Sequence, residues 1–528
     1  MDSPFASRLD SNYVATDSES LEIQNLLVLP TSRLKELSTQ LQLLDEQSTK
    51  IRNEQSAILL FISKHRGLIS QIRKLPIDIL QEIFIACLPT DYNPDMSRRQ
   101  PPILLTQICS SWRNVAHATP QLWKSIVIDV PCNSPSMTME HIERFSEAIQ
   151  EWLTKSADFP LHIVFDSDNW GASGANAVRF CDKIIDSLIR FSERWRVIRL
   201  SIPYQALKPI TSLPPSNFPI LEIFSVNCFY SFYPTQSVCI TSGVLNAPNL
   251  RELRVSGLQL THDHLGNVSR LPINWSQLTN IVLDKSFWDA SSCLSISMAY
   301  KLLSLCRNLV TCQMDIGGRI GPNEELPLET NTFISLPFLT RLSVGEYTSL
   351  SRLFSLLHLP SLNDIEFYTT LQPTTTQQSS LLSLLTRFRN TIRLIINPRY
   401  FTRLDFIECL RLCPLLKSLD VREKIEEGDD IHSCKIDDAF LKLFFESSND
   451  EGAFCPHLEV FSCLRATAFS ETTLLQFVRE KNGGSSTTGL AKLKRLSVAF
   501  DCLSLRDFNQ ELEPFIQAGL VTSIFNGF

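Results

Sequence analysis

PNLRELRV, Pro248–Val255, holds the pattern on which the fold turns. Leu250, Leu253 and Val255 take positions one, four and six of a Leu-x-x-(apolar)-x-(apolar) unit, with Arg251, Glu252 and Arg254 between them. The alternation at the end of the unit is that of a strand with one buried face. The unit recurs at Leu221-Phe224-Val226, Leu278-Ile281-Leu283, Leu309-Cys312-Met314 and Leu339-Leu342-Val344. It returns at Leu362-Ile365-Phe367, Leu416-Leu419-Val421, Leu458-Phe461-Cys463 and Leu493-Leu496-Val498. Trp195-Ile198-Leu200 begins the series, and Thr391-Leu394-Ile396 is a weaker copy.

From Leu221 to Leu362 the units start 29, 28, 31, 30 and 23 residues apart. That spacing fits leucine-rich repeats, in which a short strand is followed by a returning helix or irregular segment. Met298–Leu305 and Leu353–Leu357 are helical candidates between strands, and later intervals of 42 and 35 residues leave room for insertions such as Glu423–Asp430. No unit can bury its own apolar edge, so the units are expected to stack into a curved solenoid. An ordinary α/β domain with leucine-rich strands is the rival reading. Positions three and five of each unit should face outward together on the sheet. Glu252 with Arg254, Thr311 with Gln313, Arg341 with Ser343, Asp364 with Glu366, Ser418 with Asp420 and Arg495 with Ser497 are those pairs. The face is then basic at Arg254 and Arg341 and acidic at Asp364, Glu366 and Asp420, which suits a protein partner better than a polyanion. The plainer alternative is that these charges solvate the sheet. The tentative substrate-binding set is Arg254, Arg341, Ser343, Asp364, Glu366 and Asp420.

A second stretch, Lys74–Trp123, carries a different pattern. Leu75-Pro76 reads as a helix start, since proline fits the first turn. Ile79, Leu80, Ile83, Phe84 and Leu88 follow at three- and four-residue steps, ended by Pro89. A second helix should carry Leu104, Leu105, Ile108, Cys109 and Trp112 on one side, with Arg113 beyond, and Thr119-Pro120 opens a short third turn ending in Leu122-Trp123. This stretch resembles an F-box, whose pattern is Leu-Pro, Ile-Leu, Ile-Phe, Cys-x-x-Trp-Arg and Pro-x-Leu-Trp. It departs from that pattern in a polar insert, Asp91–Pro102, expected to loop out at little cost. A generic three-helix piece of core is the rival reading. Farther on, Trp152-Leu153, Lys155-Ser156 and Pro160-Leu161 are similar to an order found in F-box proteins numerous in mushroom-forming fungi.

The resemblance implies a Skp-type adaptor as partner and, through it, the cullin of an SCF-type ubiquitin ligase, with a protein substrate on the repeats. On it, Leu75, Pro76, Ile79, Leu80, Ile83, Phe84, Leu88, Cys109, Trp112, Leu122 and Trp123 would form the adaptor interface or its supporting core. The expected class is α/β: an N-terminal helix and a three-helix F-box followed by an irregular leucine-rich-repeat solenoid. The expected organisation is a disordered stretch at 1–20, a helix at 21–72 and the F-box at 73–124. A strand-helix-strand link at 125–190 and the repeats at 191–528 complete it. The link should hold a strand at Ser125–Val130, a helix at Met139–Thr154 and a strand at Phe159–Phe165.

In the N-terminal helix, Leu34, Leu37, Leu41, Leu44, Ile51, Ile58 and Ile62 form a heptad-like seam interrupted by Ser48, Gln55 and His65. Two readings stay open: a helix packing back on the body, and self-association through residues 34–65.

The 528 residues allow two or three domains, and a net charge of −7 argues against a nucleic-acid binder. No apolar run approaches the ~18 residues of a membrane span, and the polar start has no secretory signal pattern. The fifteen cysteines include no Cys-x-x-Cys pair, and Cys228, Cys312 and Cys413 sit at core-like positions. The expected setting is therefore the reducing cytoplasm or nucleus, where the sequons at Asn267 and Asn274 carry no meaning. Catalytic motifs are missing: Gly483–Gly489 lacks the phosphate-loop lysine, and neither a nucleophile elbow nor His-Glu-x-x-His occurs. His432, Cys434, Cys455, His457 and Cys463 fit no zinc spacing. The expectation is a non-enzymatic protein with no cofactor and no metal. Its rivals are a repeat scaffold or receptor acting outside any ligase and an enzyme with a diffuse site.

Overall fold

The computed structural model describes residues 3–9, 11–69, 71–129, 138–167, 175–229, 243–256, 272–284, 293–317, 332–371, 379–422, 436–445, 454–464, 467–483, 490–500 and 505–526. The Glu423–Asp430 insertion, Asn267 and Gly484–Gly489 lie outside them. The chain divides into two compact units, Met1–Glu82 and Ile83–Phe528.

In the first unit, helix α1 spans Asp17–Leu68. Thr16 caps it: its Oγ accepts from the Glu19 N–H, while Glu19 Oε2 accepts from the Thr16 N–H at 2.9 Å. This reciprocal box satisfies two donors that a bare helix end would leave unmet. Pro30 lies inside the helix and contributes no N–H there. Helix α2, Ile77–Ala86, spans the division at Glu82 and starts directly after Leu75-Pro76; the Pro76 carbonyl accepts the Leu80 N–H at 3.0 Å.

Among the described residues the second unit is mixed α/β and built on a parallel sheet of fourteen strands, each paired with the sheet's next strand along the chain. The strands are β1 (Ser125–Asp129), β2 (Leu161–Asp166), β3 (Trp195–Pro203), β4 (Ile223–Phe229), β5 (Glu252–Ser256), β6 (Asn280–Asp284) and β7 (Thr311–Ile316). They continue with β8 (Arg341–Glu346), β9 (Asp364–Thr369), β10 (Arg393–Ile396), β11 (Ser418–Arg422), β12 (Val460–Leu464), β13 (Arg495–Phe500) and β14 (Val521–Asn526). All eleven Leu-x-x-(apolar)-x-(apolar) units fall on β3–β13, one to a strand. The strands expected in the linking region are β1 and β2, the first two members of the same sheet.

Register explains the spacing of the unit. Ile198, Phe224, Leu253, Ile281, Cys312, Leu342, Ile365, Leu394, Leu419, Phe461 and Leu496 pair residue to residue along one buried row. Two residues on, Leu200, Val226, Val255, Leu283, Met314, Val344, Phe367, Ile396, Val421, Cys463 and Val498 form a second. A strand period of two puts both rows on one face. The leading residue of every unit, Thr391 included, is buried; Trp195 opens its strand and the others precede theirs. Beside it a further backbone bond extends the pairing: Thr279 N–H to Arg251 O, Val310 N–H to Thr279 O and Thr340 N–H to Val310 O, at 2.8 to 2.9 Å.

Helices return the chain between strands: α5 (Met139–Lys155) and α6 (Ala175–Ile189) early on, Ile296–Leu305 before β7 and Arg403–Arg411 before β11. The helix expected at Leu353–Leu357 is Ser351–Ser355, followed by a two-residue strand at Leu357–His358.

Two local expectations are corrected. The helix expected to run through Cys109 is two helices, α3 (Ile103–Ile108) and α4 (Ser110–His117). Cys109 between them is fully extended, and its Sγ accepts the Trp112 N–H at 3.5 Å, so it caps the second. The insert Asp91–Pro102 does not simply loop out. Asp95 bridges to Val127 of β1, the Val127 N–H donates to Pro94 O at 2.8 Å, and Asn93 reaches His162 O. An open sheet edge invites unwanted pairing, and the insert covers part of this one.

Candidate protein-interaction surfaces

The residues of the F-box-like stretch divide by burial. On α2, Leu80 and Phe84 are one turn apart and buried, whereas Ile79 and Ile83, also one turn apart, are 46% and 41% exposed. Ile77 on the same helix is exposed, as are Leu104 and Ile108 of α3. Leu122 and Trp123 are fully buried; Leu75, Leu88, Cys109 and Trp112 are half-buried, and Pro76 is exposed. Leu80, Phe84, Leu122 and Trp123 are therefore buried side chains, while Pro76, Ile77, Ile79, Ile83, Leu104 and Ile108 are exposed.

Aromatic packing holds this part of the second unit together. The Phe84 and Trp112 rings lie 4.9 Å apart. Trp123 Nε1–H donates to Ala116 O at 2.8 Å, tying the Pro120–Trp123 turn to α4. Trp152 of α5 meets Trp123 edge-on at 4.9 Å, and Lys155 Nζ sits 4.7 Å over the Trp123 ring. Ser156 is buried and accepts from the Arg194 guanidinium, which also donates to Phe159 O at 3.0 Å. The Trp152-Leu153, Lys155-Ser156 pattern thus has a structural use: it clamps the end of α5 to the Pro120–Trp123 turn on one side and to Arg194, just before β3, on the other.

The outward face of the sheet holds the charged pairs in register. Arg341 lies beside Asp364 across β8 and β9, Asp364 beside Arg393 on β10, and Ser343 beside Glu366. Arg341 approaches Asp364 at 3.7 Å and Glu366 at 3.6 Å, with Arg393 on the other side of Asp364 at 3.8 Å. Arg254 pairs with Glu252 at 2.5 Å, and Asp420 with Arg422 at 2.5 Å. The expected change of sign along the face is therefore blunted, because each charge has an opposite neighbour. Openness differs too: Ser343, flanked in register by Gln313 and Glu366, and Asp420, which accepts from the Arg422 guanidinium, are buried, while Arg254 and Arg341 are partly exposed. Burial raises the Asp364 carboxyl above its ordinary range, against the opposing pull of Arg341 and Arg393.

Sequence reasoning passed over several buried polar groups. Asp315 on β7 accepts from the Tyr368 hydroxyl of β9, across Gly345 of β8. Glu346 is buried and raised by that burial, although the Leu350 N–H donates to it at 3.1 Å and Ser380 and Thr369 also hydrogen-bond it. Lys481 is buried and depressed to about 8 by loss of solvent, with Nζ donating to Cys455 O at 3.5 Å. None stands out by residue type; each is legible only once register sets its neighbours.

The thiols expected in the core are there. Cys228, Cys312 and Cys413 are buried, and burial pushes each up to about 12, leaving them protonated and inert. His432 and Cys434 lie outside the described residues; Cys455 and Cys463 are buried, and His457 is exposed. Among the described residues no group of three His, Cys, Asp or Glu side chains gathers as metal ligands would. Among them, too, no helix is long and apolar enough to cross a membrane. No protein-family model matches the chain, and no match is found among curated proteins.

Proposed function

We propose that this protein is the substrate-recognition adaptor of an SCF-type ubiquitin ligase, with no catalytic activity of its own. Residues 73–124 serve as its F-box and dock a Skp-type adaptor, and the repeats, an irregular leucine-rich-repeat solenoid, hold a protein substrate. The observation that carries the reading is the division within α2, where Leu80 and Phe84 are buried while Ile79 and Ile83 stand in solvent. Ile79 and Ile83, one turn apart on a single face of α2, are the anchors a helical partner would bury. The sequential parallel sheet supports the second half, because such sheets present one continuous outward face to a protein. Arg254, Arg341, Asp364 and Glu366 are its charged contacts, with buried Ser343 and Asp420 shaping it from below.

A scaffold that uses the same helices outside any ligase is the second reading. Purification of the full chain from cells separates the two. The ligase reading expects cullin to co-purify through the Skp-type adaptor, with ubiquitin transferred to the chain or to a co-purifying protein. Adaptor without cullin favours the scaffold. Its site of action, in the cytoplasm or nucleus, follows from the same partners.

A further inference from the structure

Helix α1 spans 52 residues, about 78 Å at the usual rise, and its side chains are exposed along almost the whole length. Helix stability in water comes mostly from packing an apolar face, and the apolar face of α1 is exposed among the described residues. Leu34, Leu41 and Ile62 occupy one heptad position, Leu37, Leu44, Ile51 and Ile58 the other; all seven are exposed, Leu34, Leu41 and Ile51 by 63 to 66%. Near the C-terminal end Leu59 and Phe61 flank the seam and widen it. Pro30, which would fall on the seam, marks where the regular repeat begins.

We propose that α1 forms a parallel, in-register two-stranded coiled coil with a second copy of this chain through residues 34–65. Three features favour a second copy in that orientation. First, Ser48, Gln55 and His65 interrupt the seam, and parallel pairing sets each against its own counterpart, so polar groups meet polar groups. The antiparallel register that matches the seam ends would set them against Ile51, Leu44 and Leu34. Burying an amide against a leucine without a partner costs more than a surface ion pair returns, and a polar seam residue specifies register in this way. Second, flanking pairs across the parallel seam, Gln40 with Asp45 and Gln47 with Arg52, put no like charges together. Third, seven aliphatic side chains from each of two copies, at roughly 60 to 120 Å² apiece, cover on the order of 1,000 Å², the scale of a specific interface. The proposal does not depend on the adaptor reading.

Sedimentation equilibrium on the full chain tests it. One chain is 59.9 kDa, so the wild type is expected near twice that mass. A Leu41→Glu, Ile51→Glu variant, which keeps good helix formers, is expected as monomer, with the urea unfolding of the sheet unchanged and any loss of far-ultraviolet circular dichroism confined to the share of α1. Gln55→Ile removes a polar layer and is expected to lower the dissociation constant by about tenfold or more. Resonance energy transfer between labels on the two N-termini should be high. A wild type that stays monomeric at ~50 μM overturns the proposal, as does a double-Glu variant that still dimerises. Weak transfer overturns the parallel register.

Discussion

Gly345 sits on β8 between Asp315 and Tyr368, and a Cβ there would come within 2.2 Å of the Tyr368 hydroxyl and 2.3 Å of an Asp315 carboxylate oxygen. The missing side chain is what lets that hydrogen bond cross a strand. Gly345→Ala should break it, leave a buried carboxylate short of a donor, and cost about 1 to 3 kcal/mol in urea unfolding. Lys481 sets a second test. Its folded-state value is depressed, so the folded chain binds fewer protons than the unfolded chain between about 8 and the ordinary lysine range. Its contribution to stability is full above that range and is lost as pH falls through about 8. Lys481→Met should therefore stabilise the protein by on the order of 2 kcal/mol at pH 7, and the gain should shrink as pH rises toward 10. Thermal melts across that range would show it; a gain independent of pH would mean that packing, not charge, sets the cost. Neither residue was conspicuous in the sequence, where Gly345 is one more glycine and Lys481 one more helical lysine.

At the scale of elements the repeats were legible, because one residue pattern had to serve eleven consecutive strands, β3–β13, of an in-register sheet. Leu342 is typical: Cys312 and Ile365 lie beside it on the neighbouring strands, and it is buried. Leu342→Ala should cost about 2 to 5 kcal/mol, read as a lowered urea midpoint. The last strand escaped the pattern for a physical reason. On β14, Thr522 takes the inward place that Leu496 holds on β13, and Gly519, with φ of 105°, turns the chain just before it. The break at Cys109 escaped because cysteine is not a usual helix cap, and apolar spacing runs straight through it. The insert at Asp91–Pro102 reads as a polar loop until β1 is seen to have an edge that needs covering. Burial on the outward face was least legible of all, since alternation says which way Ser343 and Asp420 point and nothing about what lies over them.

For the whole molecule, the proposed function assigns separate duties to residues 73–124 and to the sheet, and single changes should separate them. Arg341→Glu reverses a half-exposed charge between Asp364 and Glu366 and should shift stability by about 1 kcal/mol or less. It should leave adaptor binding intact while weakening capture of a substrate. The adaptor contact itself is the central claim. Phe84 is core, and changing it would confound folding with binding; Ile79 and Ile83 are exposed and free of that difficulty. The decisive measurement is the affinity of purified Skp-type adaptor for the full chain and for its Ile79→Asp, Ile83→Asp variant, with circular dichroism of both. The account predicts that the wild type binds and that the variant, equally folded, binds at least about thirtyfold more weakly. A wild type that does not bind, or a variant that binds as well, would contradict it.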